Sequence, residues 1–175
     1  MFATPDDAYL RKIGLFVFAV AELEGMLVYD LVRLRDRLPP DMDLFGPEGG
    51  KVTGKTTIKL GEHFTKAAPK ISDPVIAEYY RVGGEALLNI GPRRNALLHS
   101  HPGLDSVGPD ANLRLMRMRW QRGGDHELHL ISDEWLDLTL ELIAALRAQV
   151  EAVRPPWDYL PDNFGPDYTW PERLD

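Results

Sequence analysis

Between Arg93 and Pro102 the chain reads RRNALLHSHP, and three residue types in that string can together break a phosphodiester. An imidazole gives or takes a proton near neutral pH, so His99 suits general acid or base work. A guanidinium presents a planar fork of donors to charge developing on phosphorus, which suits Arg94. Asn95 can orient either the histidine or the phosphate. Spaced as R-N-x-x-x-H on a helix, Asn95 and His99 share a face, while Arg94 stands about 140° round from His99 on a side chain long enough to flank it. The set fits cleavage of RNA by attack of a ribose 2′-OH on the adjacent phosphate. Arg93, six residues before His99, offers a second guanidinium. A plainer reading has both arginines solvating the helix end while Asn95 and His99 hydrogen-bond across the last turn.

Other strings compete less well. Gly49 to Thr56 spells G-x-x-x-x-G-K-T, but a phosphate-cradling loop needs a buried strand before its glycines and a helix after them. LPPDMDLFGPE upstream is no strand, so the string reads as a loop whose glycines serve turns. His99 and His101 stand two apart and would point away from each other on a helix, which makes a poor chelate; no metal site is expected. His101 reads as a helix C-terminal residue beside the site. Arg114, Arg117, Arg119 and Arg122 concentrate positive charge and read as a solvated strand face. His63, His126 and His129 read as ordinary surface or hairpin content. Glu24 interrupts an apolar helical face and is a candidate partner for an arginine near the site.

The elements that must position these residues are mostly helical. Asp6 and Asp7 favour a helix start. Ile13, Phe16, Val17, Val20, Leu23, Leu27 and Leu31 form an apolar stripe that runs to about Leu38, and Pro39-Pro40 ends it. The stretch Pro39 to Lys55 reads as a loop, and a short helix follows near Ile58 to Ala68. Asp73-Pro74 opens another, with proline at its first position, carrying Val75, Ile76, Tyr79, Tyr80, Leu87 and Leu88. Gly91-Pro92 is expected to break it and start a new short turn, Arg93 to Ser100, anchored by Leu97 and Leu98 and closed by Pro102-Gly103. LRLMRMRW and HELHLI around RGGD predict a two-stranded hairpin over about 113–131, with a bulge near Leu115 and Met116. Ser132 caps a last helix whose Trp135, Leu138, Leu142, Leu146 and Val150 reach about Val153. Residues 154–175 hold five prolines and five aromatics, and are expected to dock on the helices of the same subunit or of a partner.

At 175 residues, with 44% hydrophobic and 27% charged residues, the chain suits one soluble globular domain over 1–153 followed by a docking tail over 154–175. The absence of cysteine excludes disulfides and thiolate metal sites, and a reducing cytoplasm is the simplest home. A net charge of −7 argues against coating nucleic acid by bulk electrostatics, though not against a local basic site. Arg11-Lys12 before IGLFVFAVA imitates a signal peptide. Asp6 and Asp7 cancel the flank, however, and the helical apolar pattern continues past it. No run approaches the roughly 20 apolar residues of a membrane span.

Arg94, Asn95 and His99 in this helical context resemble the HEPN superfamily, all-helical domains marked by R-x₄₋₆-H, often with a polar residue after the arginine. The likeness covers about residues 6 to 153: a long first helix with Glu24, a second helical region, the motif helix and a final long helix. It implies a HEPN-like helical bundle, mostly α, with a small β-hairpin insertion and an irregular tail rich in proline and aromatics. It further implies a metal-independent endoribonuclease without cofactor, working as a homodimer in which two motifs meet to form one site. Arg94, Asn95 and His99 would be catalytic, with Arg93, His101 and Glu24 auxiliary. Such proteins commonly act as toxins or in anti-phage defence, where an inhibitor or antitoxin protein is a further partner. The alternative within the class is a non-catalytic dimeric interaction module.

Overall fold

The computed structural model describes residues 5–43, 52, 55–120 and 126–157. Among these lie four α-helices and one small sheet: α1 (Asp7–Arg33), α2 (Thr57–Ala67), α3 (Pro74–Leu98), β1 (His101–Leu104), β2 (Leu113–Trp120), β3 (His126–Ile131) and α4 (Asp133–Ala152). The helix starts are set locally. The Asp6 carboxylate accepts the Tyr9 N–H at 2.9 Å, Asp73 Oδ1 accepts from Val75 and Ile76 with Pro74 at the first position, and Ser132 Oγ accepts from Trp135 at 3.1 Å. Each satisfies amides that an open helix end leaves without partners.

α1 buries Tyr9, Phe16, Val20, Leu23, Leu27 and Leu31, and the core forms where α3 and α4 pack against that stripe. Val17, which the periodicity would bury, lies exposed. The helix also stops at Arg33, short of Leu38, and a 3-10 turn over Arg35–Arg37 fills the interval before the prolines. In α4 the buried set is Leu136, Thr139, Ile143, Leu146 and Val150, so Leu138, expected inside, faces solvent.

The expected break at Gly91-Pro92 does not occur, and the motif does not sit on a separate short helix. α3 runs unbroken through Pro92 to Leu98. A mid-helix proline removes one donor and crowds the carbonyl a turn earlier, at a cost of about 3 kcal/mol. Packing on both sides of it outweighs that cost: Leu87, Ile90 and Leu97 are buried, and Gly91 lies so close to α2 that a Cβ there would collide with Ile58. Further back along the same antiparallel seam, a Cβ on Gly61 would stand 2.8 Å from the Gly84 carbonyl. The start of α2 therefore lies beside the motif end of α3.

The sheet has three antiparallel strands in the order β1-β2-β3, one more than the hairpin expected. HPGL is an edge strand and not a helix-closing turn, so His101 pairs with Met116 and is no helix C-terminal residue. An edge position tolerates Pro102, which has no N–H to donate. β2 and β3 pair one to one from Leu115↔Ile131 to Trp120↔His126, so there is no bulge at Leu115–Met116. The irregular alternation arises because both faces are apolar there: Ile131 points into the core, while Met118 and Leu128 pair on the exposed face.

Tyr9 ties the sheet to the bundle. Its hydroxyl donates to the Ile131 carbonyl at 2.7 Å and accepts the Leu115 N–H at 3.0 Å. Burial raises its pKa, so the hydroxyl keeps its proton. The Arg114 guanidinium lies 4.5 Å from the centre of the Tyr9 ring and pairs with Asp6 at 2.8 Å and Asp133 at 3.1 Å. Of the run of four arginines, this one is a structural strut joining β2 to two helix starts.

Candidate functional site

The site lies at the C-terminal end of α3. Leu97 is buried and anchors the last turn, but Leu98, expected to share that role, is 49% exposed. The final carbonyls of the helix are satisfied in order. His99 N–H donates to the Asn95 carbonyl at 3.1 Å, Ser100 N–H to that of Leu97 at 3.2 Å, and Ser100 Oγ to that of Ala96 at 2.5 Å. His99 is thus the C-cap, with φ −104° and ψ 18°, and its imidazole is exposed. Two residues later, after Ser100 alone, the chain is in β1.

Arg94 turns toward α1. It lines a small concavity with Glu24, walled by Phe16, Val17, Val20 and Leu97, of about 100 Å³. Glu24 and Arg94 are therefore brought together, but no ion pair joins them among the described residues. Arg94 Nη1 instead donates to Asn95 Oδ1 at 3.4 Å, a weak contact. Asn95 is half-buried, and among the described residues no hydrogen bond joins its amide to the His99 imidazole. Arg93 is half-buried and His101 exposed, and neither lines the concavity around Arg94. The chain thus offers a guanidinium beside a carboxylate in a groove, with an open imidazole at the end of the same helix.

The loop string ending in Lys55-Thr56 leads into α2, where Thr56 occupies the N-cap position without a side-chain capping bond. Gly49, Gly50 and Gly54 of that string lie outside the described residues. Lys55, Lys59, His63 and Lys66 line a shallow cleft along α2. His63 is not ordinary surface: it is half-buried, its Nε2 has no hydrogen-bond partner among the described residues, and burial together with the Lys55 charge pushes its pKa down. Among the described residues no three of His, Cys, Asp or Glu stand close enough to hold a metal ion. Arg122 and the RGGD turn lie outside the described residues, as do residues 158–175.

A second polar cluster escaped the reading of the sequence. Asp30, with no exposure, accepts from Arg33 Nε at 2.9 Å, Tyr79 Oη at 2.7 Å and Arg154 Nε and Nη2 at 2.7 and 3.0 Å. Burial alone would raise its pKa, but the hydrogen bonds from Arg154, Arg33 and Tyr79 outweigh burial and hold it below the ordinary carboxylate value. Arg33 also donates to the carbonyls of Pro156 and Pro155, at 2.6 and 3.0 Å, and Trp157 lies near both guanidiniums. The signal available was Asp30 itself, an acid one residue from Leu31 on the buried arc of α1.

These elements define a mostly helical protein carrying a small antiparallel sheet, in which no described helix is long and apolar enough to cross a membrane. Comparison of the chain with protein-family models, with curated proteins and with solved structures returned no match to any of them.

Proposed function

We propose that this chain is a HEPN-type endoribonuclease that cleaves RNA without a metal ion and works as a homodimer. The observation that carries the reading is the end of α3, where one helix presents Arg94 in a groove and His99 in the open a turn later. Attack of the ribose 2′-oxygen on phosphorus forms one P–O bond and breaks the bond to the 5′-oxygen. A proton must leave the 2′-OH and another must reach the departing 5′-oxygen on the opposite side of phosphorus. His99 is the group that moves protons, Arg94 meets the negative charge that grows on the phosphoryl oxygens, and Asn95 orients the arginine it already touches. One imidazole cannot stand on both sides of an in-line displacement, so a second copy supplies the second.

The surface beside Arg94 supports a twofold partner. Val17 and Ala21 of α1 are exposed, and a Cβ placed on Gly14 would meet nothing within 4 Å. With Leu98 of α3 they make an apolar strip flanking the Arg94 groove, of the kind that monomers rarely leave open. The same strip favours the second reading, a dimeric interaction module without catalysis, and the net charge of −7 favours it too.

Cleavage of a labelled RNA in the presence of a chelator tests the proposal. The wild type should leave 2′,3′-cyclic phosphate ends and spare a strand with 2′-deoxyribose at the cleaved position. His99→Ala should lower the rate by about 10²–10⁴-fold, and Arg94→Ala by about 10²–10³-fold. Equal degradation by wild type and His99→Ala would sink the catalytic assignment and leave the interaction module. Growth arrest of bacteria expressing the wild type, absent with Arg94→Ala, would extend the reading to a toxin or defence role with a protein inhibitor.

A further inference from the structure

The buried cluster around Asp30 does more than close the core: it fixes where the last segment of the chain leaves the bundle. Arg154 is held on Asp30, and Arg33 grips the carbonyls of Pro155 and Pro156. Trp157 is seated beside Tyr29, ring centres 6.5 Å apart. That exit point opens into a concavity between α1 and α4, lined by Gly25, Met26 and Tyr29 on one side and Arg147 and Glu151 on the other. Glu22, Arg147 and Glu151 also border a second, larger groove farther along the same two helices, and between the two the Arg147 guanidinium pairs with Glu22 and Glu151. The floor of the second groove is apolar: Leu15, Phe18 and Ala19 from α1, with Ile143, Ala144 and Ala148 from α4. Leu15 and Phe18 are 53% and 68% exposed, a large apolar area to leave in water.

We propose that residues 158–175 lie back along this groove, seating the aromatic side chains of Tyr159, Phe164, Tyr168 and Trp170 against its apolar floor. Length permits it. From Tyr29 back to Leu15 is fourteen helical residues, about 21 Å at 1.5 Å each. Extended chain covers that in about seven residues at roughly 3.3 Å apiece. Eighteen residues follow Trp157, and the four aromatics fall within the first thirteen of them. Direction permits it too, since Pro155 and Pro156 are pinned at the end of the groove from which the chain must set out. The groove is distinct from the strip around Val17, Ala21 and Leu98, on the other side of α1, that the dimer of the proposed function uses; this inference does not depend on that function.

The chain has no cysteine, so a single one placed at Gly165 carries a nitroxide spin label without competition. In the full-length protein so labelled, the methyl signals of Leu15 and Ile143 should lose most of their intensity, and reduction of the nitroxide should restore them. Ala144→Arg, an exposed change in the groove, should abolish the effect while the signals of buried Leu27 and Leu87 stay unchanged. No broadening in the labelled full chain overturns the proposal. So does broadening seen only when spin-labelled, isotopically silent copies are mixed with unlabelled isotopic ones, because the segment then reaches a second copy's groove. Leu15 signals that move with protein concentration in a chain ended after Trp157, matching their full-length positions when concentrated, would name a second copy as the occupant and overturn it as well.

Discussion

Asp30 and Arg33, three residues apart on α1, form an ion pair 2.9 Å long with side chains 0% and 2% exposed. A buried pair of this kind is costly to break from one side, because the remaining charge has no water to turn to. Asp30→Ala should therefore lower stability by about 3–5 kcal/mol, read from urea denaturation. Arg33→Met should cost a similar amount and also free Pro155 and Pro156, visible as faster chymotryptic cleavage after Trp157.

The same carboxylate makes stability depend on pH. Its pKa is depressed in the folded chain, whereas in the unfolded chain it titrates near the ordinary value of about 3.9. As pH falls, protons bind the unfolded state first. The contribution of Asp30 is therefore whole above about pH 4 and is lost as pH drops through the folded value. Asp30→Asn should flatten that part of the acid limb, measured as the difference between the two stability–pH curves below pH 4.

Tyr9→Phe removes a hydroxyl that holds Leu115 N–H and the Ile131 carbonyl at once, leaving both backbone groups without their partner. The cost should be about 1–3 kcal/mol, with amide exchange at Leu115 accelerated ahead of that in α3. Equal protection at Leu115 in both proteins would show that the strands close on each other without the tyrosine.

Glycines on the two sides of the bundle should respond with opposite sign. Gly84→Ala drives a Cβ to 2.8 Å from the Thr65 backbone nitrogen, where α2 must move, at a cost of about 1–3 kcal/mol. Gly14→Ala meets nothing within 4 Å in the middle of α1 and should stabilise by about 0.5–1 kcal/mol. Thermal melts of the two variants against wild type check both.

Pro92 is exposed within an unbroken helix. Pro92→Ala should therefore return a donor to the Leu88 carbonyl and raise stability by up to about 3 kcal/mol, read as a higher melting temperature. A fall in melting temperature would mean that α3 depends on the proline at that point.

Which parts of the fold were legible depended on how local their causes are. The helix starts at Asp6, Asp73 and Ser132 are set within three residues, and each start was read from the string around it, though only Ser132 was read as a cap. The continuity of α3 was not legible, because the contact that carries it across Pro92 comes from Ile58 on another helix. β1 was missed since four residues with a proline look like a turn until Met116 pairs with His101. In α4, leucines at 136, 138, 140 and 142 fit two helical phases equally well, and only the packed bundle selects the one that buries Leu136 and Thr139. At the site, Glu24 and Arg94 line one groove, but the arginine pairing offered for Glu24 does not form among the described residues. The direction of the Asn95 amide, toward Arg94 and not toward His99, was not legible, because one turn of helix allows either.

Only Ser100 separates the capping histidine of α3 from the first paired residue of β1. The backbone at position 99 is therefore held from both ends, by the last helical turn on one side and by the pairing of β1 with β2 on the other. A shift of β1 along β2 would therefore move the backbone that carries that imidazole while the rest of α3 stays where it is.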